Sequence, residues 1–203
     1  MSNPYNIVHE FEETIAEYAG SLFAVSVDSC TNAIFLVCKY LEVENVYIPK
    51  YTYPGVACSI IHAGGKVQFT EEEWEGIYQL KPYPIYDSAL RFRKGMYVWN
   101  SFYCLSFHVK KLLPIGRGGM ILLNDEDAYR WLKKARFDGR QEIPLSDDNL
   151  EMLGWNMYMT PEQASRGLTL FQNYKEKEDL KDQDYPDLSQ FKIYENISDY
   201  CSV

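Results

Sequence analysis

The chain of 203 residues lacks several things, and each absence narrows what it can be. Its five cysteines, Cys30, Cys38, Cys58, Cys104 and Cys201, form no CxxC pair and are odd in number. Four lie in apolar segments, where cysteine behaves as a small core residue, so a reduced, cytoplasmic protein without a disulfide framework is expected. The three histidines, His9, His62 and His108, have no ligand spacing, so no metal site is expected. Basic charge is short: 20 Lys and Arg stand against 29 Asp and Glu, a net charge of -9. That balance argues against a nucleic-acid partner, which needs a basic stripe. It leaves room for an anionic ligand held by local donors. No apolar run is long enough to cross a bilayer, the N-terminus does not have the basic-then-apolar pattern of a signal peptide, and there are no internal repeats.

What is present is a globular composition, 46% hydrophobic and 15% aromatic, sufficient for one sizeable core. Seventeen tyrosines suggest a surface or interface rich in amphipathic rings. Helical spacing predicts a helix from Ile7 to Ala19, ended by Gly20, then a strand from Leu22 to Val27. A buried helix from Thr31 to Tyr40, a strand from Asn45 to Pro49, a helix from Pro54 to His62 and a strand from Lys66 to Phe69 follow. Glu71 to Pro84 reads as a solvated connection. Further strands are expected at Pro84 to Asp87, Met96 to Trp99, Phe102 to Phe107 and Met120 to Leu123, then a helix capped by Asp125 and running to Ala135. Thr160-Pro161-Glu162-Gln163 is a capping signature that opens a helix to about Tyr174. The alternation predicts an α/β fold, a three-layer sandwich around a mostly parallel sheet, over residues 1–174. Residues 175–203 read as an acidic tail or an arm onto a partner.

In such sheets ligands bind beyond the carboxyl ends of the strands, so chemistry is sought just after each strand. Ser29-Cys30-Thr31-Asn32-Ala33 places small polar residues at a helix N-terminus, where free N–H groups and the helix dipole can hold a phosphate. Taken alone it is an ordinary N-cap. Tyr53 could stack on a planar cofactor or simply pack in the core. Asp87 ends its strand with a carboxylate that could pair a ring nitrogen, or merely cap a turn. Lys111 follows the strand ending at Phe107, with Gly116-Arg117-Gly118-Gly119 close behind; there an amine can form a Schiff base with an aldehyde cofactor. Each bland reading is favoured singly, but the ordered set of phosphate turn, aromatic, Asp and Lys is far less expected by chance.

These residues bring out a resemblance to sugar aminotransferases of the DegT/StrS type, pyridoxal-phosphate enzymes of fold type I. The chain matches the family's motifs at Phe11-Glu12 with Gly20, at Ser29 to Ile34, at Pro49 to Tyr53 and at Gly64 to Phe69. It matches again at Tyr86-Asp87-Ser88-Ala89, at Ser106 to Lys111, at Gly154 to Met159 and at Gln163-Ala164. The order is the family's from about residue 7 to 174, and the register selects Lys111 over Lys110. The resemblance implies that Lys111 is the Schiff-base lysine and proton shuttle, that Asp87 pairs the pyridine nitrogen of pyridoxal 5'-phosphate, and that Tyr53 stacks on its ring. Ser29, Thr31, Asn32 and Ser106 would hold the phosphate, and Asn156 would reach the partner subunit's phosphate in a homodimer with shared sites. The implied reaction is amination of a keto sugar carried on a nucleotide, with glutamate as donor.

The chain departs from the pattern at Leu90, where a His or Gln bonds the cofactor's ring hydroxyl. It departs also at Tyr158 for an Arg, at Arg117 for an acidic residue and at Cys30 for a Gly. Residues 70 to 87 replace a longer strand-helix-strand excursion, and the family's C-terminal small domain is expected to be missing. A catalytically impaired cofactor-binding or assembly subunit is therefore the alternative expectation.

Overall fold

Alternation of apolar side chains along the central strands builds two cores, one on each face of a sheet. The computed structural model describes residues 3–181 and 184–194. Its main elements are α1 (Asn6–Ala19), β1 (Phe23–Val27), α2 (Cys30–Tyr40), β2 (Asn45–Pro49), α3 (Pro54–His62), β3 (Lys66–Thr70) and β4 (Tyr78–Gln79). They continue with β5 (Ile85–Asp87), β6 (Phe102–Ser106), β7 (Gly119–Leu123), α4 (Glu126–Ala135) and α5 (Pro161–Phe171). On β6 and β7, Phe102, Cys104, Ile121 and Leu123 face a core shared with α2, α3 and α4. Tyr103, Leu105, Met120 and Leu122 face the opposite core, shared with α1 and α5. Three layers result, helices on both sides of a sheet.

The five-stranded sheet has the order β1-β7-β6-β5-β4, and β2 and β3 form a separate pair. Parallel pairing is confined to β5–β6 and β2–β3; β7 runs against β1 and β6, and β4 against β5. Connection geometry explains the mixture. Parallel neighbours need a crossover, which α3 supplies between β2 and β3 and the irregular segment 88–101 supplies between β5 and β6, whereas β4–β5 and β6–β7 fold back directly as antiparallel partners.

The expected strand at Met96 to Trp99 does not form. Gly95 and Asn100 both have left-handed backbone, at φ 62° and 61°, which breaks the extended run at either end. The segment's backbone bonds go to the end of α1 instead, from Gly95 N–H to the Tyr18 carbonyl and from Tyr97 N–H to that of Ala19. The last helix stops at Phe171, short of the expected Tyr174, and the region read as a solvated connection contributes the two-residue strand β4. The capping box at Thr160 and Gln163 is formed as its signature predicts.

Beyond α5 the described chain packs along its own body. Asp179 is buried between Arg91 and Arg93, at 2.6 and 2.9 Å, and Leu180 N–H bonds the Leu90 carbonyl. Asp187 pairs with Lys50 at 3.2 Å, Leu188 N–H bonds the Lys50 carbonyl, and the Leu188 side chain is fully buried. Residues 195–203 lie outside the described residues. Among those described, no helix is long and apolar enough to cross a membrane.

Candidate active site

The carboxyl ends of β1, β5 and β6 open onto a cavity of about 570 Å³. Ser29, Thr31, Asn32, Tyr53, Asp87, Ser106 and Lys111 all line it, so seven of the eight expected site residues meet at one place. Asn156 is not among the lining residues; its side-chain amide donates to Asp138 at 3.0 Å.

The turn into α2 forms one end. Ser29 caps the helix by accepting from Asn32 N–H at 3.2 Å, and Asp28 anchors the turn by accepting from the Asn32 amide at 2.6 Å. As first residues of a helix, Cys30 and Thr31 have no intrahelical acceptor for their N–H groups, and the helix dipole adds partial positive charge there. Arg117 reaches the same turn, pairing with Asp28 at 2.7 Å from a largely exposed position. Two glycines let the walls close. A Cβ on Gly119 would lie 2.4 Å from the Ser29 carbonyl carbon and 2.5 Å from the Cys30 nitrogen, so β7 seats directly beneath the turn. A Cβ on Gly55 would lie 2.7 Å from the Tyr53 ring, which therefore rests on the start of α3 beside Thr31. Gly119→Ala is expected to push the Ser29–Cys30 turn off the sheet. A loss of about 1–3 kcal/mol in denaturant unfolding is the expected result, as for other overpacked positions.

Asp87 forms the floor. It is almost wholly buried, and burial pushes its carboxyl above the usual range against the Ala89 N–H, the Tyr78 hydroxyl and the charge of Lys111. Ala89 N–H donates to Oδ1 at 3.0 Å, with the Cys30 Sγ 3.9 Å from the same oxygen, and Tyr78 donates to Oδ2 at 3.2 Å, which leaves Oδ2 a further lone pair. Lys111 stands in the turn after β6, its N–H bonded to the His108 carbonyl at 2.9 Å. It is half-buried where Lys110 is exposed, and it is the Lys111 charge that acts on both Asp87 and Cys30. The Cys30 thiol, pushed up by burial, donates to the Cys104 carbonyl at 3.4 Å.

This donor set fits pyridoxal phosphate: N–H groups and hydroxyls for an anion at one end, a buried carboxylate for a ring nitrogen, an amine beside it and an aromatic wall. At the position of the absent His or Gln, Leu90 lines the cavity with a buried apolar side chain.

Sequence reasoning missed part of the lining. Thr52 lies within the Pro49 to Tyr53 match without a role of its own, and Trp74 and Tyr185 carry no signal at all; nor does Tyr78, which stands behind the lining on Asp87. Trp74 and Tyr185 lie near-parallel at the cavity, 6.3 Å between ring centroids and 16° between planes. They come from segments without periodicity more than a hundred residues apart, so only the folded chain pairs them.

A model of the DegT/DnrJ/EryC1/StrS aminotransferase family matches residues 1–85 and 95–190. Among solved structures the chain is similar to 3-amino-5-hydroxybenzoic acid (AHBA) synthase, at 17% identity and TM-score 0.70, over 82% of this chain and 56% of that one. It is similar to Helicobacter pylori PseC, an aminotransferase involved in the biosynthesis of pseudoaminic acid, at 16% and 0.71, over 83% and 58%. A third is the sugar aminotransferase CalS13 from Micromonospora echinospora, at 16% and 0.71, over 83% and 61%. The chain thus spans less than two thirds of each, and at these identities the likeness is one of fold. No curated protein matches the chain.

Proposed function

Because the chain belongs to the DegT/DnrJ/EryC1/StrS aminotransferase family, we propose that it is a pyridoxal-phosphate-dependent aminotransferase of the cytoplasm. The substrate proposed is a keto sugar linked to a nucleotide, and the amino donor glutamate. The observation that carries this reading is the meeting of Asp87 and Lys111 in one cavity whose end is a helix N-terminus.

Bound there, the cofactor supplies an aldehyde that can carry an amine and a ring that can take up an electron pair. The chain's residues do the rest. Ser29, Ser106 and the N–H groups at the start of α2, at Thr31 and Asn32, would hold the phosphate. The Asp87 carboxylate would pair the ring nitrogen and would keep a proton on it. Tyr53, at the cavity wall, would stack on the ring. Lys111 would present its amine to the cofactor's aldehyde and would serve as the base that holds or moves a proton at Nζ. Asn156, outside its own cavity, is proposed to complete the phosphate site of a second subunit in a homodimer.

The test is direct. Purified protein mixed with pyridoxal phosphate is expected to develop a visible absorbance band that Lys111→Ala lacks. Glutamate should then bleach the band of the wild type. A wild type with no lysine-dependent band ends this reading, and a band indifferent to glutamate removes the proposed donor.

A further inference from the structure

Four elements bring titratable groups to Asp87: Cys30 on α2, Cys104 on β6, Tyr78 on β4 and Lys111 after β6. Of these, Tyr78 holds a singular register position, directly opposite Asp87 in the β4–β5 pairing. Its hydroxyl lies 3.2 Å from Asp87 Oδ2 and 2.6 Å from Thr52 Oγ1. Tyr78 and Thr52 are both buried, so their hydroxyl protons must be shared within the group. An ionised carboxylate only accepts, so Tyr78 donates to Asp87, and its oxygen then takes the proton offered by Thr52. The chain of donors runs one way, from Thr52 through Tyr78 to Asp87. Burial, and the Asp87 charge beside it, push the Tyr78 hydroxyl well up, so it stays protonated and able to donate.

We propose that Tyr78 is a positioning residue of this site, its hydroxyl steadied by Thr52 and holding the Asp87 carboxylate ionised and aimed into the cavity. The inference rests on the reading that Asp87 meets a cofactor's ring nitrogen, and adds how so buried a carboxylate keeps its charge. A hydrogen bond made to the charged form favours that form, and one to a charged acceptor is stronger than a neutral one. The device belongs to the short connection between β3 and β5, which carries Tyr78 on β4.

The experiment uses the protein without added cofactor, carbon-13 labelled at aspartate, with the Asp87 signal assigned by its absence in Asp87→Asn. In Tyr78→Phe the Asp87 carboxyl should titrate about one pH unit higher than in the wild type, a tenfold change in its ionisation constant. Thr52→Val, which leaves the Tyr78 ring and hydroxyl in place, should move it the same way by less, and carries the test if Tyr78→Phe does not fold. With pyridoxal phosphate added, Tyr78→Phe should retain the Lys111-dependent band and need several-fold more cofactor to develop it. A merely structural role would lower the melting temperature and leave the titration where it was. Unchanged Asp87 titration in the folded variants overturns the proposal. A wild type with no Lys111-dependent band sinks the cofactor reading instead, and the titration still decides whether Tyr78 holds the carboxylate.

Discussion

If the chain works as proposed, Asp87→Asn is expected to cut transamination by about 10²–10³-fold, the scale of losing one preorganised electrostatic contact in a water-poor site. The amide keeps the shape of the carboxylate and loses its charge, so a ring nitrogen paired with it would no longer be held protonated. Stability should move the other way. Burial raises the Asp87 carboxyl above its ordinary 3.8, so the folded state binds its proton more tightly than the unfolded chain does. Such a group costs stability as pH rises through its unfolded value, and the cost is complete above its folded value. The cofactor-free Asn variant should therefore match or exceed the wild type in stability at neutral pH. That advantage should vanish below about pH 3.8, where both side chains are neutral. Denaturant melts at the two pH values, beside initial rates, check both halves. A variant that loses stability at neutral pH along with activity would make Asp87 a structural residue.

The second large effect is expected at Arg136. Its guanidinium is buried and contacts Glu12, the Ser26 carbonyl and hydroxyl, and Glu142 at 3.3 Å. Lys133 joins at 3.0 Å from Glu12, and His9 contacts Glu142. Glu12 accepts from both the N–H and the hydroxyl of Ser26, each at 2.8 Å. The network ties α1, β1 and α4 across the end of the molecule. Arg136→Met leaves Glu12 buried with Lys133 as its remaining cation, and removal of one partner of a buried pair costs about 3–5 kcal/mol. Adding Glu12→Leu should recover part of that loss, because the uncompensated charge goes with it; a full double-mutant cycle measures the coupling.

The same network sets an acid limit. For Glu12, burial alone would raise the carboxyl, but Arg136, Lys133 and the Ser26 N–H together hold it below the usual range. For Glu142 the same competition, with His9, Lys133 and Arg136 opposing burial, ends at about 2 against an ordinary 4.5. Folded values below unfolded ones give stability that is present above pH 4.5 and lost as pH falls toward 2. Acid melts should show this slope in the wild type and a shallower one in Arg136→Met.

Glu12 shows what a motif can and cannot say. The Phe11-Glu12 pair was legible as a match, but its function was not. Its partner Arg136 lies 124 residues away, and no local pattern links the two. Phe11 was legible through helical spacing, since it recurs with Ile15 on the buried face of α1. The strand expected at Met96 to Trp99 failed for the complementary reason. Its apolar letters suggested an extended run, while the positive φ of a non-glycine residue, Asn100, is a choice made by the folded environment. Tyr78 was invisible because a two-residue strand has no period to detect.

The family resemblance, rather than any local pattern, singled out Lys111 over Lys110; the sequence by itself determined the layered α/β framework, the helix caps at Ser29, Asp125 and Thr160, and the places of Asp87 and Lys111 just after strands. These are local properties, set by periods of two and 3.6 residues and by side chains that bond their own helix ends. The tertiary structure alone decided that β4 returns Tyr78 onto Asp87, that Tyr185 meets Trp74 at the cavity and that Arg136 closes on Glu12. Those contacts join segments whose separation along the chain carries no periodic signal; burial enforces the polar ones, Tyr78 on Asp87 and Arg136 on Glu12, because a buried polar group left without a partner is costly.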